Sequence, residues 1–321
     1  MDEELLSMPL DELLSRAWEL RKRNFPDVLH LSAPSLKRYI SGRYSNTPSR
    51  FVSVSVTGGE CALRCKHCGG RLLESMHQVS SPEELVRLGE RLVKRGGRGV
   101  LVSGGADARG CVPLRRFAGA MRELRRMGLR VIVHSGMVGE EDVDALRRAG
   151  VEQVLLDVIG SEETAREVYH LKAVPEDYLR SMRLLREAGI RIAPHVVVGL
   201  HGGRVVGEYR ALEMIAEAGA EAVVVVALSP MPGTAYEGVK PPAPEEVARV
   251  VGVARVLNPG AALSLGCARA PGDKLRIERL AVDAGVNTIA YPTEEAVEHA
   301  ERRGLRPVFS ELCCTLVHED G

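Results

Sequence analysis

Asparagine and glutamine are nearly missing from this 321-residue sequence, which holds only Asn24, Asn46, Asn258, Asn287, Gln78 and Gln153. Scarcity of heat-labile amides suggests a thermophilic source, while the excess of arginine over lysine would also follow from a GC-rich genome. Long apolar runs are also lacking. The longest, 222–228, falls far short of the ~20 residues that a bilayer demands, so no membrane span is expected. No charge of either sign prevails, with 43 basic and 43 acidic residues, so bulk attraction to nucleic acid or to an anionic membrane is not expected. The start, Met1-Asp2-Glu3-Glu4, is acidic where a signal peptide is basic, and the expected location is cytoplasmic. With 45% apolar residues and no extended polar tract, the chain is expected to fold around its own core. The seven cysteines do not read as a disulfide framework in a reducing compartment. Cys61, Cys65 and Cys68 cluster, Cys111 and Cys267 stand alone, and Cys313-Cys314 are adjacent; such clustering points to metal.

What is present is a repeating unit. Short runs rich in β-branched residues at 51–57, 99–103, 129–134, 151–158, 190–198, 220–228, 261–265 and 286–291 alternate with helical patterns. These patterns cover 82–95, 113–127, 140–149, 175–188, 205–218, 244–257, 272–284 and 294–303. Several helical stretches end in Ala-Gly followed at once by a buried strand, as at Ala149-Gly150-Val151 and Ala284-Gly285-Val286. That is the glycine cap expected where a helix returns to a parallel strand. Eight such units over about 250 residues predict an α/β fold, a (β/α)8 TIM-type barrel, with a doubly wound open sheet as the runner-up. One amphipathic helix and an irregular stretch, 32–49, fill residues 1–50. The barrel is expected over 51–304, and 305–321 form a C-terminal tail with Cys-Cys over the barrel mouth.

The strongest chemical signal is Gly58-Gly59-Glu60-Cys61-Ala62-Leu63-Arg64-Cys65-Lys66-His67-Cys68-Gly69, directly after the first barrel strand. Three thiolates at C-x3-C-x2-C spacing suit three irons of one 4Fe–4S cube and leave the fourth iron without a protein ligand. A structural zinc site wants four ligands. His67 is the one nearby candidate, and the flanking pair Cys65 and Cys68 suggests that its side chain points away from a shared metal. The loop resembles the C-x3-C-x-Φ-C signature of radical S-adenosylmethionine (SAM) enzymes, with His67 at the usually aromatic position. The resemblance implies that Cys61, Cys65 and Cys68 hold a cluster whose open iron chelates the amino and carboxylate groups of SAM. It further implies a SAM-binding role for Ser103-Gly104-Gly105 after the second strand. Asp157 at the end of the fourth strand would meet the ribose, and Val198-Gly199 at the end of the fifth would border adenine. His201 and Gly202 stand where the family's acidic residue might be expected. Arg180 or Arg269 is a candidate for the methionine carboxylate.

Pro9-Leu10-Asp11-Glu12-Leu13-Leu14, Leu263-Ser264-Leu265-Gly266 and Ala284-Gly285-Val286-Asn287-Thr288-Ile289 resemble biotin synthase, so the likeness covers nearly the whole chain. That family holds a sulfur-donating 2Fe–2S cluster with three cysteines and an arginine. At the corresponding strand ends this sequence offers Ser103, His134 and Pro194 or His195. What remains is Cys267, Cys313 and Cys314, a tentative ligand set for an auxiliary cluster; buried, inert thiols are the plain alternative. Cys111 reads as incidental, and His134, His195 and Tyr291 are given no catalytic role. The pattern looks like the archaeal two-component (split-type) lipoyl synthase proteins. This implies a sulfurtransferase that works with a second radical SAM component on an octanoylated lipoyl carrier, fed by a low-potential donor such as ferredoxin. A single-cluster mutase or lyase of the methylornithine-synthase-like kind, biotin-synthase-like sulfur insertion and a non-enzymatic electron carrier are the alternatives.

Overall fold

The computed structural model describes residues 3–316. Eleven strands form one sheet. They are β1 (Val28–Ser32), β2 (Phe51–Ser55), β3 (His77–Gln78), β4 (Gly99–Ser103), β5 (Arg130–His134), β6 (Gln153–Asp157), β7 (Arg191–Val198), β8 (Ala222–Ala227), β9 (Ala262–Leu265), β10 (Thr288–Ala290) and β11 (Arg306–Ser310). Every pairing is parallel, in the order β11-β1-β10-β9-β8-β7-β6-β5-β4-β2-β3. All eight anticipated barrel strands are present, and helices follow them as a (β/α)8 arrangement requires. The ladder itself runs open from β11 to β3. Across its seam, the Ser35 N–H donates to the Phe51 carbonyl at 2.9 Å, and the Ser35 hydroxyl accepts from Arg50 and Phe51 N–H.

Alternation along the strands sorts the side chains. Val52, Val54, Val100, Val102, Val131, Val133, Val154, Leu156, Val223 and Val225 belong to the large core that also contains the helices' apolar faces. Their neighbours Phe51, Leu101, Ile132, Leu155, Ala193, Ala222 and Ala262 form a second cluster inside the sheet's curve, and Leu312 and Leu316 of the tail pack among them. The tail thus covers the interior by entering it. Two bonds hold it there: the Ser32 hydroxyl donates to the Leu312 carbonyl at 2.8 Å, and the Ser264 hydroxyl to the Cys314 carbonyl at 3.0 Å.

The N-terminal helix Leu10–Asn24 sits against helix Pro244–Leu257, where a Cβ on Gly252 would lie 2.9 Å from Leu13. Strands β1, β3 and β11 were not anticipated from the sequence, nor was the helix Glu162–Val168. No helix among the described residues is long and apolar enough to cross a membrane.

Leu312 is fully buried, so Leu312→Ala removes a plug that the surrounding strands cannot refill. We expect a loss of about 2–5 kcal/mol in denaturant unfolding; a loss well under 1 kcal/mol would contradict the packed interior.

Candidate functional site

The loop after β2 is built by its own backbone. The Cys68 and Gly69 N–H groups donate to the Cys65 carbonyl at 3.1 and 2.7 Å, and Gly69 and Gly70 take positive φ so that the chain can turn back. Ala62 N–H donates to Ala106 O and Lys66 N–H to Val168 O, each at 2.9 Å, which pins the loop to the segments after β4 and β6. Gly105 explains the Gly-Gly pair at the end of β4. A Cβ there would fall 1.9 Å from the Glu60 carbonyl oxygen and 2.6 Å from Cys61 Cα, so only glycine admits the cysteine loop. Its N–H donates to Thr57 Oγ1 at 2.7 Å, and Ser103 Oγ donates to the His134 carbonyl at 2.9 Å.

The donor atoms of Cys65, His67 and Cys68 all lie within 4.8 Å of one another. The hydrogen bond between the two thiols and their burial push Cys65 up, while accepting that bond holds Cys68 down. Cys61 is not within that distance of both thiols.

His67 corrects the expectation that its side chain points away. The ring packs 5.2 Å from the Tyr169 ring, which turns a nitrogen toward Cys68. Its Nδ1 is buried without a hydrogen-bond partner. An orphaned polar atom beside Cys65 and Cys68 fits a group that this loop is shaped to take.

Next to the loop, the inner strand ends carry a polar network. Tyr169 OH donates to Asp157 Oδ2 at 3.1 Å, and His134 Nε2 lies 3.5 Å from Asp157 Oδ1. The His134 and His195 rings meet edge to face at 5.6 Å. Burial alone would push the Asp157 carboxyl up; the bond from His134 and the nearby imidazoles outweigh it and hold the carboxyl below the usual range. Burial, with His134 adding, pushes His195 down to about 4. The choice between Pro194 and His195 is decided here, because Ala193 faces the interior and alternation puts His195 on the same side.

At the end of β7, Val198 is buried and Gly199 takes φ +78°, with Pro242 2.7 Å from where a Cβ would be. The acidic residue of this region, which the sequence reading did not find, is Glu208. Its carboxylate accepts from Gly199 N–H at 2.8 Å, Val206 N–H at 2.7 Å and Gly207 N–H at 2.9 Å. The intervening loop hid it, and its signal was Gly207-Glu208 opening the helix Glu208–Ala218. Val158, Gly160, Thr164, Val196, Leu200 and Glu208 line a small cleft there.

The model of the radical SAM superfamily matches residues 55–218, just over half of the chain. The chain belongs to the radical SAM superfamily. A biotin synthase of Alkalilimnicola ehrlichii is 26% identical over 291 residues, covering 88% of this chain and 84% of that protein. One from Acidithiobacillus ferrooxidans is 29% identical over 289 residues, covering 87% and 88%. Among solved structures, methylornithine synthase aligns with a TM-score of 0.65 at 16% identity, over 95% of this chain and 92% of that one. The FeFe-hydrogenase maturase HydG from Carboxydothermus hydrogenoformans aligns at 0.66 and 18%, over 95% and 73%. These two show the barrel fold.

A radical SAM protein implies a 4Fe–4S cluster and SAM, and the loop's thiols, the orphaned His67 nitrogen and the Gly105 crevice fit that requirement. If Gly105 exists to admit the loop, Gly105→Ala displaces Cys61. We expect this variant to retain much less iron after anaerobic reconstitution than Gly59→Ala, whose Cβ would meet nothing within 4 Å. Equal iron in the two variants would count against the crevice.

Proposed function

We propose that this radical SAM protein is a sulfur-inserting enzyme, one component of a two-protein lipoyl synthase that acts on a protein-bound octanoyl chain. The observation that carries the reading is where Cys267, Cys313 and Cys314 lie. Cys313 and Cys314 lie inside the sheet's curve among Val224, Val226, Ala290 and Tyr291. Cys267, exposed just after β9, lies near Cys313, Cys314 and Tyr291. Lys37, whose ammonium lies 4.3 Å from the centre of the Tyr291 ring, offers positive charge beside them. Three thiols and a cation in one corner of a barrel, with Cys267 open to solvent and Cys314 buried, suit an anionic iron–sulfur cluster.

The chain's own residues would divide the work as follows. Cys61, Cys65 and Cys68 would hold the first cluster, and Cys267, Cys313 and Cys314 the auxiliary one. Ser103, Gly104 and Gly105, with Asp157, Val198 and Gly199, would bind SAM under this reading, with His67 beside the cluster. Val224 and Val226 of β8, with Val197 and Ala290, would supply an apolar wall suited to an alkyl chain, and the polar ends of β4 to β7 stand across from it. When bound, the first cluster and SAM supply a 5′-deoxyadenosyl radical for an unactivated C–H bond, and the auxiliary cluster supplies sulfide. The interior's part is to exclude water, to which a carbon radical would otherwise be exposed. The partners under this reading are the second radical SAM component, the octanoylated carrier and a low-potential donor such as ferredoxin. The biotin synthase relatives favour a second reading, sulfur insertion of the biotin-synthase kind; the inward Ser103, His134 and His195 weigh against it, because none is a thiol.

The test counts iron by Mössbauer spectroscopy after anaerobic reconstitution. In Cys61→Ala/Cys65→Ala/Cys68→Ala we expect a cluster of about four irons to survive, and to vanish when Cys267, Cys313 and Cys314 are also replaced by alanine. A first triple variant without iron, yet folded by circular dichroism, would overturn the auxiliary cluster and favour a single-cluster radical reaction.

A further inference from the structure

Away from the thiols, on the rim between the segments that follow β6 and β7, three potential ligands converge. Glu163 and Glu167 are four residues apart on the helix Glu162–Val168, so both carboxylates leave the same face. His201, in the loop after β7, points its Nε2 between them, 3.8 Å from Glu163 Oε1 and 3.9 Å from Glu167 Oε2. All three donor atoms lie within 4.8 Å of one another.

Two features separate this group from ordinary surface acids. The His201 side chain is only 9% exposed, while those of Glu163 and Glu167 are 53% and 45% exposed. Its Nδ1 is engaged by Thr164 Oγ1 at 3.0 Å, whereas its Nε2 makes no hydrogen bond among the described residues. A buried imidazole fixed through one nitrogen, with the other bare toward two carboxylates, is how a metal-binding histidine is oriented. The separations are too long for hydrogen bonds. They are only a few tenths of an ångström wider than the about 3.4 Å that ligands ~2.1 Å from a tetrahedral ion would have. Exposed glutamates can close that gap. Arg166 lies 3.8 Å from the other oxygen of Glu167 and leaves Oε2 to the site.

We propose that Glu163, Glu167 and His201 bind a divalent transition ion that ties the helix after β6 to the loop after β7. One nitrogen and two carboxylate donors suit Mn2+, Fe2+ or Zn2+, and charge supports it, since two carboxylates and a neutral imidazole leave a divalent ion balanced. The helix also holds the cysteine loop through Val168, but this site uses none of the thiols and does not depend on the reaction proposed above.

Mn2+ is the probe, because it prefers oxygen and nitrogen to thiolate and so ignores the cysteines. Cluster-loaded protein is titrated anaerobically, and the electron paramagnetic resonance signal of free Mn2+ is followed. We expect one Mn2+ per chain, affinity about tenfold or more weaker in Glu163→Gln/Glu167→Gln and in His201→Gln, and weakened also in Thr164→Val. Mn2+ should raise the melting temperature of the wild type and not of the double glutamine variant, whose exposed substitutions leave the fold intact. No uptake, or uptake equal in wild type and the double variant, would overturn the site and leave a surface ion pair.

Discussion

Everything in this molecule follows from one constraint: a parallel strand, buried on both faces, must send alternate side chains to two different environments. Valines and leucines on one side meet the helices. On the other, residues meet the enclosed interior, where an apolar layer containing Phe51, Ile132, Leu155 and Ala193 lies below a polar layer containing Ser103, His134, Asp157 and His195. A one-residue slip in any strand would exchange the two sets. The tail completes the lower layer with Leu312 and Leu316, and so brings Cys313 and Cys314 inside.

The cysteine loop depends on the same registers. It is held by backbone bonds to the segments after β4 and β6, and its approach is set by the missing side chain of Gly105. Asp157 collects Tyr169 and His134 at the end of β6, and Tyr169 in turn supports the ring of His67. Helix ends, glycines and buried polar bonds therefore act together to fix one short loop, as a group that works by open coordination requires.

Much of this was legible in the sequence, because the eight barrel strands and most of their helices carry strong periodicity and glycine stops. The stretch β1, Val28–Ser32, lies between Pro26 and Pro34 and has few residues with which to show a pattern. In β11, Pro307 argues against a strand until its edge position is known, since an edge strand tolerates the missing N–H. The seven-residue helix Glu162–Val168 is too short to display a face. At the site, spacing identified the cysteines, but the direction of His67 depends on Tyr169, about a hundred residues away in the chain and invisible to local reading. Glu208 acts on Gly199 from nine residues downstream, across a loop whose path the sequence does not reveal.

The central claim is that Cys61, Cys65 and Cys68 form a site with open coordination for SAM, in keeping with membership of the radical SAM superfamily. The most direct measurement is the yield of 5′-deoxyadenosine when reconstituted protein, reduced with dithionite, is given SAM without substrate. The account predicts 5′-deoxyadenosine and methionine from the wild type and none from Cys65→Ala. A wild-type protein that holds its cluster, takes up the electron and leaves SAM intact would contradict it, and would point instead to an electron carrier.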